Sequence, residues 1–178
     1  MKHKVCKSSI SVILFLAGAC MLALALSPSI ASAAVFNYDK KPAFSVTYPN
    51  DWSDNPDNAK QYNLLFSAKA DAGIPVINVQ VRDIPAGATI ADAGKLFKKL
   101  ILDPEQSQDC QIISDKQTTL KDGTKANETI LKYKWNQWLP LQAVVIAVFK
   151  DKKWIRVDIH QSANDDPSWD ILRTLKFK

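Results

Sequence analysis

Beyond its first third of a hundred residues the chain runs as short stretches in which apolar and polar positions alternate, the period of a half-buried strand. Residues 35–38 form a short first segment of this kind. Residues 44–48 alternate strictly, with Phe44, Val46 and Tyr48 on one face, and Pro49, Asn50 and Asp51 end the run. Trp52 then reads as a plug at the core edge. Residues 53–61 predict a polar loop with a proline inside, and residues 62–68 an apolar strand. After Pro75, Ile77, Val79 and Val81 face one side while Asn78, Gln80 and Arg82 face the other.

At Thr89 the period changes. Ile90, Ala93, Leu96, Phe97, Leu100 and Ile101 recur at helical spacing, with Lys95, Lys98 and Lys99 off the stripe. Thr89 is the expected N-cap and Asp92 sits where the helix dipole favours an acid. Asp103-Pro104 closes the helix. Residues 110–119 predict a strand, Asp122-Gly123 its turn, and residues 125–136 the antiparallel return, with Leu131, Tyr133 and Trp135 against Lys132, Lys134 and Asn136. Residues 141–149 are apolar on both faces, as in a central strand covered on both sides. Residues 154–161 alternate again, Ile155, Val157 and Ile159 against Arg156, Asp158 and His160. Asp166 as N-cap and Pro167 at the first turn open a last helix through Trp169, Leu172 and Leu175. Tight hairpins mean antiparallel pairing, and one helix between strands with another at the end makes the class α+β. The expected architecture is an antiparallel β-sheet of about six or seven strands flanked by helices.

The N-terminus follows a different pattern. Lys2, Lys4 and Lys7 precede an uncharged apolar run over residues 10–26, then Ser27-Pro28 breaks it and Ala31-Ser32-Ala33 follows. That order is a secretory signal peptide cleaved after Ala33, which leaves residues 34–178 as a single domain in the periplasm or outside the cell. The apolar run is short for a membrane span, and no span is expected after cleavage. A lipid anchor through Cys20 is the alternative, but Ala17 stands where a lipobox has leucine, and the apolar run continues past Cys20.

Cleavage changes the composition. Taking three lysines from 23 basic residues leaves 20 against 18 acidic, so a net +5 becomes +2. Acids are interleaved with the lysines, and with export this argues against a nucleic-acid partner. Cys110 is the single remaining cysteine, so no intramolecular disulfide is expected. One histidine and one cysteine do not make a zinc site. Asp51, Asp54, Asp57 and Asn58 lie close in sequence, but their spacing is not that of a calcium loop and a solvated loop is the simpler reading. No metal or cofactor is expected. No nucleophile elbow and no phosphate loop is present, and no catalytic residue is assigned.

The motif Phe44-Ser45-Val46-Thr47-Tyr48-Pro49-Asn50-Asp51-Trp52 resembles the phenylalanine-x-x-x-tyrosine-proline-x-x-tryptophan opening of PsbP-like domains. Residues 171–177 resemble the terminal helix and last strand of that family. The resemblance covers roughly residues 36–178 and implies an antiparallel sheet with flanking helices. The family includes the extrinsic photosystem protein, a Ran-binding nuclear factor and secreted bacterial proteins; it implies binding to other proteins rather than catalysis.

Two segments are candidates for binding. Arg156, Asp158 and His160 share one strand face, which is simplest as an exposed polar face with a salt bridge; a covered face would make it a specific polar site. Trp138 and Leu139 sit in an apolar connection, Trp135 to Leu141, that is costly if left wet. The expected function is an exported, monomeric, non-catalytic binding or assembly module for an envelope protein or a small apolar ligand. The rival is a hydrolase using Asp158 and His160, which requires them to line a cleft beside a nucleophile.

Overall fold

The computed structural model describes residues 32–100 and 107–178. All of the proposed leader except Ser32 and Ala33, and the Asp103-Pro104 helix stop, lie outside these residues. Ser32–Lys178 forms one compact unit.

In chain order the elements are β1 (Ala33–Tyr38), β2 (Phe44–Pro49), β3 (Ser53–Asp54), α1 (Pro56–Gln61), β4 (Phe66–Lys69) and β5 (Val76–Asp83). A 3₁₀ turn (Ile90–Asp92) leads into α2 (Ala93–Leu100). Then come β6 (Ser107–Thr119), β7 (Lys125–Trp135), β8 (Leu139–Lys150), β9 (Lys153–Ser162), α3 (Trp169–Leu172) and β10 (Lys176–Phe177). A seven-stranded sheet has the order β3-β4-β5-β9-β8-β7-β6, and a three-stranded sheet the order β1-β2-β10. All the pairings are antiparallel.

The α+β expectation holds at that level, but sheet covers what helices were expected to cover. On one face of the large sheet, Ile77, Val79, Val144, Ile146, Ile155, Val157 and Ile159 pack against Phe44 and Val46 of β2, Phe177 of β10 and Leu172 and Leu175 near α3. The opposite face carries Leu131, Tyr133, Ala143, Val145, Ala147 and Trp154 against Ala93 and Phe97 of α2. Residues 141–149 are thus apolar on both sides because each side meets a different core.

Local chemistry accounts for most boundaries. Gly123 (φ +85°) supplies the left-handed position of the β6–β7 turn. The Asp92 carboxylate accepts from Thr89 N–H at 2.9 Å and from its hydroxyl at 2.7 Å, fixing the start of the 3₁₀ turn that runs into α2. Residues 53–61 correct the sequence reading. Instead of a loop they form β3 and α1, because Asn55 caps the helix and Pro56 begins it. The last helix is shorter than its pattern suggested: Ser168 is its N-cap, not Asp166, and Leu175 lies beyond its end. Strand β6, on the edge of the large sheet, shifts register twice against β7, between Gln108 and Gln111 and between Ile112 and Ser114. Asp109 there has φ of 54°.

Candidate functional site

The exposed-face reading of Arg156, Asp158 and His160 is overturned: α2 and the segment around α1 cover that side of the sheet. Arg156 is 2% and Asp158 0% exposed. The reason lies in the register. Strand β9 pairs with β5 so that Gln80 faces Arg156 and Asn78 faces Asp158, which sets one polar face directly beside another.

These side chains form a chain of polar contacts across the sheet. Asn58 of α1 donates to Ser67 Oγ and to Asn78 Oδ1, both at 2.9 Å. Ser67 donates to the same Asn78 oxygen at 2.9 Å, and Asn78 Nδ2 donates to Asp158 Oδ2, again at 2.9 Å. His160 Nε2 lies 2.9 Å from that carboxylate oxygen, and Tyr133 Oη lies 2.5 Å from His160 Nδ1. Tyr133 is on β7 and His160 on β9, two strands apart. On the intervening β8, Tyr133 is paired to Leu141 and His160 to Ala143, so the phenol reaches His160 diagonally.

Asp158 accepts only, so Nε2 of a neutral His160 carries the proton and Nδ1 accepts from the phenol. Burial, with Asp158 next in weight, pushes the Tyr133 phenol far above its ordinary value, which keeps it a donor.

Arg156 Nε approaches Asp158 Oδ1 to 2.7 Å. This is a contact of charges without hydrogen-bond alignment, for Arg156 Nε, Arg156 Nη1 and Asp158 Oδ1 are all buried without a hydrogen-bond partner. The guanidinium carbon stands 5.1 Å from the centre of the Phe97 ring. Burial would raise the Asp158 pKa, but Arg156, His160 and Asn78 together outweigh it and hold the carboxyl below its ordinary range. Arg156 is lowered by burial, opposed by Asp158 and reinforced by the like charge of Arg82.

Beside this network lies a cavity of about 520 Å³. Its floor is the sheet: Asn78, Gln80 and Arg82 of β5, Arg156 and His160 of β9, Leu141 of β8, and Tyr133 and Trp135 of β7. Asn58, Tyr62 and Leu64 belong to one wall, and Ile74, Ser107 and Leu139 add to the lining. Gln80 fastens the α1 wall to the floor, its amide donating to the carbonyls of Tyr62 and Asn63 at 3.2 and 2.9 Å.

Of the candidate residues, Arg156, His160 and Leu139 line the cavity and Asp158 lies beneath it. Trp138 does not line it. It is 73% exposed after a tight turn in which Asn136 and Gln137 have positive φ and Trp138 N–H donates to Trp135 O. Sequence reasoning missed Asn58, Asn78, Arg82 and Tyr133 as parts of one site. The alternation of β5 carried a signal for two of them, since its polar face matches that of β9 in length and character. The hydrolase reading asked for a nucleophile beside His160. Both His160 nitrogens are engaged, and the hydroxyl that reaches it belongs to a phenol held protonated. Cys110 is a free, half-buried thiol whose pKa is raised by burial, against the pull of Lys98. No cluster of metal-binding side chains occurs among the described residues.

A second buried acid holds the other face. Glu128, 1% exposed, receives Arg173 Nε at 2.8 Å and Nη2 at 3.1 Å, with Lys116 Nζ at 3.3 Å. Burial would raise its pKa, but Arg173 and Lys116 prevail and lower it. Carboxyls depressed by folding add stability that is fully present above their unfolded pKa, about 4, and lost as pH falls through the lower folded value. The thermal midpoint is therefore expected to stay level from neutral pH to about 5 and to fall below about 4. Glu128→Gln should make the acid limb shallower. A midpoint that rises on acidification from pH 5 to 3 would contradict this account.

An antiparallel α+β sandwich of this topology is the PsbP-like fold. The solution structure of cyanobacterial PsbP from Synechocystis sp. PCC 6803 superposes with a TM-score of 0.62 at 16% identity, over 88% of this chain and 99% of that one. A Pseudomonas aeruginosa protein of unknown function aligns with a TM-score of 0.48 at 13% identity, over 80% of this chain and 96% of its own. No protein-family model matches the sequence, and no curated protein matches it. At these identities the likeness concerns the fold. Among the described residues no helix is long and apolar enough to cross a membrane.

Proposed function

We propose that the chain is an exported, non-catalytic binding module, with residues 1–33 as its cleaved leader, that holds a small ligand in the cavity on the β5–β9–β8–β7 face. The observation that carries this is the cavity itself. Its volume of about 520 Å³ lies within the range of small-molecule sites, roughly 300–1,000 Å³, and it combines apolar walls with a few fixed polar groups. Arg156, His160 and Leu139 are the proposed contacts, with Asp158 holding the first two in place.

The neutral fluorescent probe 1-aminoanthracene tests the reading. Its emission should rise and saturate at one equivalent of purified protein. Ile74→Trp, at a half-buried loop position, should fill the space and reduce that signal several-fold with far-ultraviolet circular dichroism unchanged. Leu139→Arg, at the rim, should do the same by a different route. No saturable signal with the native chain, or full signal with both variants, would remove the cavity as a ligand site.

A further inference from the structure

We infer that the ligand carries a carboxylate or similar monoanion on an apolar body, with Arg82 and Arg156 taking the anion. The inference rests on the reading of the cavity as a ligand site and specifies what that site selects.

Three observations lead to it. First, the described residues lining the cavity include two guanidinium groups and no Asp or Glu. The acid set against them is Asp158, which lies below the floor and already receives His160, Asn78 and the Nε edge of Arg156. The two guanidinium groups face one carboxylate, which leaves one positive charge uncompensated.

Second, the register places the two arginines together. Gln80 is directly opposite Arg156, and Arg82 follows Gln80 by two residues on the same face, so the guanidiniums stand diagonally across adjacent strands. Like charges so placed repel, and the lowering of the Arg156 pKa by Arg82 is the same effect. An anion between them removes the repulsion.

Third, Arg156 Nη1 is buried without an acceptor, and Arg82 has no ion pair among the described residues. A buried donor left open is costly, and folded proteins rarely retain one that no ligand or water serves. A planar fork of donors suits a carboxylate better than a single acceptor. The rest of the lining, Leu64, Ile74, Trp135, Leu139 and Leu141, asks for an apolar body.

Calorimetric titration with three probes of one chain length, octanoate, 1-octanol and octylamine, separates the claims. Octanoate should bind about tenfold to a hundredfold tighter than octanol, and octylamine weakest of the three. Arg82→Gln, at a partly exposed position where folding is not at stake, should remove at least tenfold of the octanoate preference and leave octanol unchanged. Equal affinity for octanoate and octanol, a preference for octylamine, or an octanoate preference untouched in Arg82→Gln would overturn the anion assignment while the ligand site stands. Failure of all three probes to bind would count against the ligand site itself, and the anion assignment would fall with it.

Discussion

Asp158→Ala is expected to destabilise the folded protein by about 3–5 kcal/mol, the usual consequence of removing one partner of a buried charge pair. The carboxylate is fully buried and receives Arg156 at 2.7 Å, His160 at 2.9 Å and Asn78 at 2.9 Å. Its loss leaves a guanidinium in the interior without a counter-charge, and two further donors without acceptors. Most of the penalty comes from what remains behind. Replacing both ions with apolar side chains of similar volume, Arg156→Met with Asp158→Leu, should therefore recover much of the loss. Urea unfolding at neutral pH measures both: the midpoint of the single variant should drop with the slope unchanged, and the double variant should lie between it and the native chain. A loss under about 1 kcal/mol for Asp158→Ala would mean that water reaches Arg156 freely and that the network is not sealed.

Phe44→Ala is the second large effect, again about 3–5 kcal/mol. Phe44 is fully buried, with ring centres of Tyr38 at 5.2 Å, Phe177 at 5.9 Å and Phe36 at 6.3 Å. It belongs to the smaller sheet but sits in the core shared with the larger one. Truncation there opens a cavity and also weakens the attachment of β1 and β10, each of which pairs with β2 alone among the described residues. Hydrogen exchange at their amides should quicken beyond the global change. Trp138→Ala is the control: it removes a larger side chain, but an exposed one, and should shift stability by no more than about 0.5 kcal/mol. If the two substitutions had similar effects, the two-sheet core would be wrong.

The strands were legible because alternation is local. Residues 76–82 and 154–161 announced both their period and which side chains share a face, and residues 141–149 announced a strand covered twice. What covers each face is a long-range matter. An alternating strand reads the same whether its polar side meets water or another polar strand. Only the pairing of Gln80 with Arg156 and Asn78 with Asp158, and the packing of α2 and α1 over them, turned an apparent surface into an interior site. The three-stranded sheet was hidden for a related reason, since its third strand is two residues long. The α1 error was different: Asn55-Pro56 is a helix start, and the polar composition of the stretch outweighed it in the reading. Tyr133 escaped because its alternation marks it as core, which it is; only the pairing of β7, β8 and β9 brings its hydroxyl to His160.

The bulged outer strand has a consequence for how copies of this domain meet one another. A long, flat strand with free amides and carbonyls along one side invites the same strand of another molecule to complete the ladder. Strand β6 is thirteen residues long and lies at the rim, so it would be the natural place for such joining. Its two register breaks and the left-handed Asp109 interrupt the spacing of those groups, and Asp109, Asp115 and Lys116 place charge along it. A second copy could match only a few positions before falling out of step. The irregularity in β6 thus makes it a poor template for strand addition by a second copy.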